Sequence, residues 1–480
     1  MGLDRKYFRL ILISFTLLFI LLLVYAPHFS YKYPYHIDEW RHISESLKLS
    51  KGELPQGYLI LEIGFNIFLL AIIKLGFDVV LIYKYLPALF AVISSLVLFF
   101  FIYKKMGRLY IALFSMLFFA SLRSNVNLTG LWFFTPLTFA IPLIYLFFWL
   151  FSEGVEKNNL KSVYWSLFVY SIVFISHPIS ATFMLPILLV YLTIHRKFVK
   201  KHYKPLLIIL AVPALMFIVL FEFFWQKTFI KTLKFLSTFI FFKYGWGVLE
   251  IRYNIITFYG ILAFILAIFG VYFAYRKRQY LLMAWPLTLL FFILLFHLFS
   301  FTIFAPYQRL LYYTMLGLVP LSAIGLYYLL MLLKDLLKKW LKYIWAVNLI
   351  ISVILIFVFA VVFQGYYKLG GQVALYQLVD DNSYEAIKFL ENYPKTVVLA
   401  PVFTSTAIYP ISGHDIVATL YFYGLNKRKL VEEAYLSGNC TNVSELAKKN
   451  NATFILNDVS MGNCGWNEIY NDGYYIYSLK

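Results

Sequence analysis

Apolar runs near membrane-spanning length recur along most of this chain, and that recurrence limits its fold more than any other feature. The first lies at 10–26, and others follow at about 79–103, 109–122, 131–151, 162–177, 179–194, 205–224, 255–275, 280–300, 310–330 and 343–363. A perpendicular span needs roughly 20 apolar residues, and inside lipid the backbone must satisfy its own hydrogen bonds. The runs therefore read as membrane helices, several of them shorter than a full perpendicular span. Composition agrees, with 62% of the 480 residues hydrophobic and only 14% charged. A soluble domain carries about 25% charged residues. Aromatics reach 21%, and membrane interfaces favour Trp and Tyr.

The net charge of +19 admits a nucleic-acid-binding reading. The cations argue against it, because they fall in short clusters between apolar runs. Lys104, Lys105 and Arg108 form one cluster, and Lys157 and Lys161 a weaker one. Arg196, Lys197, Lys200, Lys201 and Lys204 form the strongest; Arg276 to Arg278 and then Lys334, Lys338, Lys339 and Lys342 follow. These clusters occupy alternate loops, as the positive-inside rule produces. They share one side with the N-terminus only if 58–75, interrupted by Glu62, Gly64 and Asn66, does not cross. That segment reads as a juxtamembrane or re-entrant helix. The expected topology is about eleven spans, N-terminus cytoplasmic and C-terminus extracytoplasmic. The run at 10–26 exceeds the usual apolar core of a cleaved signal peptide, so it reads as an anchor.

Two longer segments, 27–78 and 225–254, fall on the outer side in this topology. After residue 364 the composition turns polar. Asn382 with Glu385 predicts a cap for a helix over 383–392, and Asn442 with Glu445 one over 443–450. TVVLAPV (396–402), TFILND (453–458) and YYIYSL (474–479) read as strands. The expected architecture is an all-α polytopic membrane domain over 1–364, including the outer loop 27–78, and a small extracytoplasmic α/β domain over 365–480. That domain holds sequons at Asn439, Asn442 and Asn451, and both cysteines. In an outside compartment Cys440 and Cys464 are expected to be bonded; two free thiols are the alternative.

The first outer loop, YPYHIDEWRHISES (33–46), gathers His36, Asp38, Glu39, Arg41 and His42. On a helix Asp38 and His42 share one face. A solvated polar loop and a metal site from His36, Asp38 and His42 are two readings, the latter without a clear fourth ligand. The preferred reading is a general base, in which a carboxylate takes the proton of an acceptor hydroxyl. Arg309, in PYQRLLYY (306–313), sits where an outer loop meets a span. It can grip a phosphate bidentately or simply snorkel to the interface. Lys227, beside Trp225 and Glu222, and Arg123, in LRSNVNLTG (122–130), are further phosphate candidates. His177, in SHPIS (176–180), and Tyr307 are supporting candidates, a structural role being the alternative for the histidine.

This layout resembles the GT-C fold membrane glycosyltransferases, which use polyprenyl-phosphate-linked sugars. Protein O-mannosyltransferases, aminoarabinose transferases and oligosaccharyltransferases belong to that group. Its acidic residue in the first outer loop is the catalytic base, and the matching position here is Asp38, with Glu39 beside it. YKYLPALFAVISSLVLFFFIYKKMG (83–107) is similar to the group's second span, and RLLYYTMLGLVPLSAIGLYYLL (309–330) to a late span whose arginine contacts the lipid phosphate. The resemblance implies an inverting, base-catalysed transfer from a polyprenyl-phosphate sugar to a lipid, glycan or protein acceptor. It calls for no organic cofactor and leaves a divalent metal open. No WWDYG-like motif occurs in the C-terminal part, and 122–130 lacks an acidic residue. Both departures favour a metal-independent monosaccharide transferase over an oligosaccharyltransferase. A flippase of lipid-linked glycans and a surface-polysaccharide polymerase or ligase are the rival readings.

Overall fold

The computed structural model describes residues 5–54, 57–123, 130–219, 241–242, 254–303, 306–340, 343–364, 377–419 and 425–479. Two compact units emerge. One comprises Met1–Pro27, Pro55–Phe65 and Tyr85–Gly370; the other comprises His28–Leu54, Asn66–Lys84 and Gly371–Lys480. The expected boundary at 364/365 leaves 27–78 with the membrane part. The contacts instead group most of that loop with the C-terminal domain.

Six helices among the described residues are long and apolar enough to cross a membrane: Lys6–Phe29, Val79–Met106, Pro136–Glu156, Tyr280–Phe299, Tyr307–Lys339 and Ile344–Val362. The pair Pro178–Ile194 and Arg196–Lys204, bent by 113°, makes a seventh if it is one span. Shorter apolar helices are Leu109–Ala120, Leu160–Ser176 and Ile261–Arg276. The chain is a multi-pass membrane protein. The segment expected not to cross forms a 3-10 turn, Gly57–Glu62, and a helix, Ile63–Lys74, of 12 residues. At 1.5 Å per residue that helix covers only about 18 Å.

Local chemistry sets the helix ends. Pro stands in the first turn of the helices Leu86–Met106, Pro136–Glu156 and Pro178–Ile194, where a missing N–H costs nothing. Gly107, at φ +65°, ends the first of these in the left-handed region. Helices Ile261–Arg276 and Tyr307–Trp340 approach backbone to backbone. A Cβ added at Gly270 would lie 1.9 Å from the Leu321 carbonyl oxygen, and one at Gly325 would lie 1.9 Å from that of Leu266. Small residues let membrane helices pack this closely. In the same unit, strand β1 (Phe241–Phe242) pairs antiparallel with β2 (Thr302–Ile303).

The second unit carries a five-stranded sheet in the order β4-β3-β5-β7-β6. Its strands are β3 (Val397–Leu399), β4 (Asp415–Ile416), β5 (Ala452–Asn457), β6 (Asn467–Asn471) and β7 (Tyr475–Ser478). Strand β3 runs parallel to β4 and β5, while β7 is antiparallel to both β5 and β6. Helix Cys440–Lys449 buries Val443, Leu446 and Ala447, the i, i+3, i+4 stripe of an amphipathic helix, in a core with Leu399, Ile455 and Tyr477. Cys440 and Cys464 are bonded, with Cα atoms 5.3 Å apart.

Two expected caps are displaced. Asp380, not Asn382, opens the helix Asp381–Phe389. Its carboxylate accepts from the Ser383 N–H at 2.8 Å, and the Ser383 hydroxyl accepts from the Asp380 N–H at 2.8 Å. Asn439, not Asn442, opens Cys440–Lys449 by accepting from the Thr441 N–H at 2.9 Å. Strands β4 and β6 and helices Val402–Ser412 and Leu425–Leu436 were not expected.

Candidate functional site

The acidic loop is anchored by its tyrosines. Tyr31 donates to the Val379 carbonyl at 2.7 Å, and Tyr33 to Asp381 at 2.8 Å while stacking on Tyr384 at 4.7 Å. Lys32 pairs with Asp381 at 3.0 Å. Tyr35 receives the Gln377 side-chain amide at 3.1 Å. Hydrogen bonds from Tyr33 and Lys32 hold the Asp381 carboxyl below the usual range. Farther on, the Lys51 ammonium donates to the Tyr409 hydroxyl at 3.1 Å. The aromatic run YKYPY thus fixes the loop to the strand-bearing domain, all within the second unit.

Helix Ile37–Ser50 starts immediately after this anchor, with His36 as its N-cap. The His36 Nδ1 accepts from the Asp38 N–H at 3.0 Å. Glu39 Oε2 accepts from the N–H groups of Tyr35 at 2.6 Å and His36 at 2.8 Å, and the residue is fully buried. Glu39 therefore closes a capping box. The neighbouring Asp38 side chain is 32% exposed, with Arg41 at 3.9 Å and the His36 ring at 3.7 Å. Of the two adjacent carboxylates, one is spent on the backbone and the other reaches solvent.

His42 touches Arg41, the residue beside Asp38. It is fully buried; its Nδ1 lies 3.1 Å from Asn66 Oδ1 and its Nε2 lies 3.0 Å from Arg41 Nη2. A guanidinium only donates, so Nε2 must carry the lone pair and Nδ1 the proton. Burial, and next the Arg41 charge, push this imidazole down to about 3, against a smaller upward pull from Asp38. With both ring nitrogens engaged, His42 does not join His36 and Asp38 as a metal ligand. No group of three or more His, Cys, Asp or Glu side chains among the described residues is placed to hold a metal ion.

The other candidates lie in the membrane unit. Half-buried Arg309 stands in the first turn of helix Tyr307–Trp340, one turn before Tyr313. The Tyr313 hydroxyl lies 2.9 Å from Ser180 Oγ, which lies 2.6 Å from His177 Nδ1. This buried relay ties His177 to the arginine's helix. Ser180 and Tyr313 are 133 residues apart, and no local motif announces them. Tyr307 is buried, with its hydroxyl 3.1 Å from His297 Nε2. Arg123 donates to the backbone carbonyls of Thr257 and Gln364, each at 3.4 Å. Lys227 and Glu222 lie outside the described residues.

Membrane-crossing helices and a small α/β domain in one chain, with the first long loop carrying a partly exposed carboxylate at a helix start, define a class of polytopic membrane fold. No family model matches the sequence, and no curated protein does. Solved structures do match. The archaeal oligosaccharyltransferase AglB from Archaeoglobus fulgidus, in complex with an inhibitory peptide and a dolichol-phosphate, superposes over 95% of this chain and 70% of its own, at TM-score 0.56 and 11% identity. The apo form of the Archaeoglobus fulgidus oligosaccharyltransferase matches with the same coverage and identity, at TM-score 0.60. Its complex with Zn and sulfate matches at 0.56, covering 93% of this chain and 68% of its own at 12% identity. The chain has a GT-C fold.

Proposed function

We propose that this protein is a membrane glycosyltransferase that moves a sugar from a polyprenyl-phosphate donor to an acceptor hydroxyl, with Asp38 as general base. The observation that carries the reading is the division of labour between Asp38 and Glu39 at the start of helix Ile37–Ser50. Asp38 accepts the hydroxyl proton as the acceptor oxygen attacks the anomeric carbon. The bond from that carbon to the phosphate oxygen breaks, and its electron pair leaves with the polyprenyl phosphate. Attack opposite the leaving group inverts the anomeric centre without a covalent enzyme intermediate. His36 and His42 hold the helix start, the latter through Arg41.

The departing phosphate is an anion and calls for a cation. Arg309 is the first candidate, because its planar fork suits phosphate oxygens; Lys227 and Arg123 follow. His177 and Tyr307 support the segment that carries Arg309. The topology proposed with this chemistry has about eleven spans, a cytoplasmic N-terminus and an extracytoplasmic C-terminal domain. Acceptors of three kinds fit: lipid, glycan or protein. The neighbours include an Archaeoglobus fulgidus oligosaccharyltransferase tethered to an acceptor peptide, which supports a protein acceptor. The missing WWDYG-like motif supports transfer of a single sugar instead of an oligosaccharide.

The test is transfer by the purified Asp38→Asn protein with a lipid-linked sugar extracted from its own membranes. Loss of transfer with the donor still bound supports the base. Undiminished transfer would remove Asp38 as the base, and no transfer even by the unmodified protein would favour the flippase reading.

A further inference from the structure

We infer that the membrane unit holds a site for an anionic phospholipid at the end of the bundle where helix Arg5–Tyr25 begins. A cavity of about 420 Å³ opens there between that helix, the turn joining Leu86–Met106 to Leu109–Ala120, and helix Tyr307–Trp340. Arg9 and Arg108 line it together with Tyr103, Tyr110 and Tyr327, and among the described residues no acidic side chain does. Both arginines are exposed, and among the described residues neither forms an ion pair. Their neighbour Lys105 behaves differently, being buried and paired with Glu156 at 2.6 Å. Gly107 in its left-handed conformation turns the chain so that Arg108 leaves the preceding helix at the cavity rim.

Two guanidiniums and three phenols make a donor-rich pocket suited to a phosphodiester. Basic pockets between membrane helices are where anionic headgroups bind. A second feature points to a lipid over a free anion. Phe8, at the cavity wall, begins an exposed apolar stripe on its helix that continues through Ile11, Phe15, Leu18 and Leu22. The spacing of three and four residues keeps the stripe on one face. A headgroup held by Arg9 and Arg108 would lay its acyl chain along this stripe.

Native mass spectrometry of the full chain in detergent tests this with phosphatidylglycerol, phosphatidylcholine of equal chain length and inorganic phosphate as probes. The expected result is about 10-fold or greater retention of phosphatidylglycerol over phosphatidylcholine, with no stable phosphate adduct. The Arg9→Gln/Arg108→Gln double variant should lose that preference, and the Arg9→Lys/Arg108→Lys variant should keep part of it. A Lys200→Gln/Lys201→Gln control, on another basic cluster, should keep all of it. Equal retention of the two lipids by the unmodified chain, or an equal loss in the control, would overturn the site. Phosphate displacing the lipid would overturn its identity as a lipid site.

Discussion

Removing the Glu39 carboxylate should unfasten the start of the loop helix. Its Oε2 accepts from two N–H groups, those of Tyr35 and His36, and the side chain is completely buried. A buried donor left unsatisfied costs about 1–3 kcal/mol, so Glu39→Ala should destabilise this segment by roughly 2–6 kcal/mol. Glu39→Gln keeps an acceptor oxygen and loses only the charge assistance, roughly 1–2 kcal/mol. Hydrogen–deuterium exchange of the purified full chain reads this directly. Amides between 33 and 43 should exchange about 30-fold faster or more in Glu39→Ala, because each 1.4 kcal/mol is tenfold. Unchanged protection there, with sugar transfer abolished, would refute the reasoning and make Glu39 the reacting carboxylate.

Three further outcomes follow from the same geometry. His42 is neutral in the fold with a pKa of about 3, whereas an unfolded chain protonates it near 6.5. The unfolded state binds more protons between those values, so stability is full above about pH 6.5 and falls as pH drops. The loss should reach about 2 kcal/mol at pH 5; a thermal-shift difference between pH 7 and pH 5 should shrink in His42→Gln, and an equal difference would remove His42 as the cause. Arg309→Ala should weaken donor use by about 1.5–3 kcal/mol, with partial recovery in Arg309→Lys, as read by donor titration; unchanged donor dependence would return the residue to an interfacial role. In intact cells an impermeant thiol reagent should label Leu430→Cys and not Lys200→Cys, because Cys440 and Cys464 are bonded and silent; the opposite pattern would reverse the proposed topology.

The membrane class was legible because lipid forces long apolar runs, and β5 and β7 were legible because short apolar segments stood between polar turns. The caps were harder to read. Asp380, Asn382 and Ser383 all suit helix starts, as do Asn439 and Asn442, and only the three-dimensional exit of the chain selects among them. The capping box at Glu39 was hidden by its N-cap, since histidine is not among the residues normally sought there. Its carboxylate therefore read as a second catalytic candidate. The link from Ser180 to Tyr313 was invisible for a different reason: helix packing joins them, not sequence spacing. The grouping of the first loop with the C-terminal domain rests on Tyr31, Tyr33 and Tyr35, which a composition argument assigns simply to a membrane interface.

The central claim is that Asp38 is the base of a lipid-dependent sugar transfer. Single-turnover transfer from the native polyprenyl-phosphate sugar, measured side by side for the unmodified chain, Asp38→Asn and Glu39→Gln, tests it most directly. General-base catalysis contributes about 10²–10⁴-fold. Asp38→Asn should lose transfer by that order while its amides at 33–43 stay protected, and Glu39→Gln should lose less. Transfer near the unmodified rate in Asp38→Asn would contradict the account.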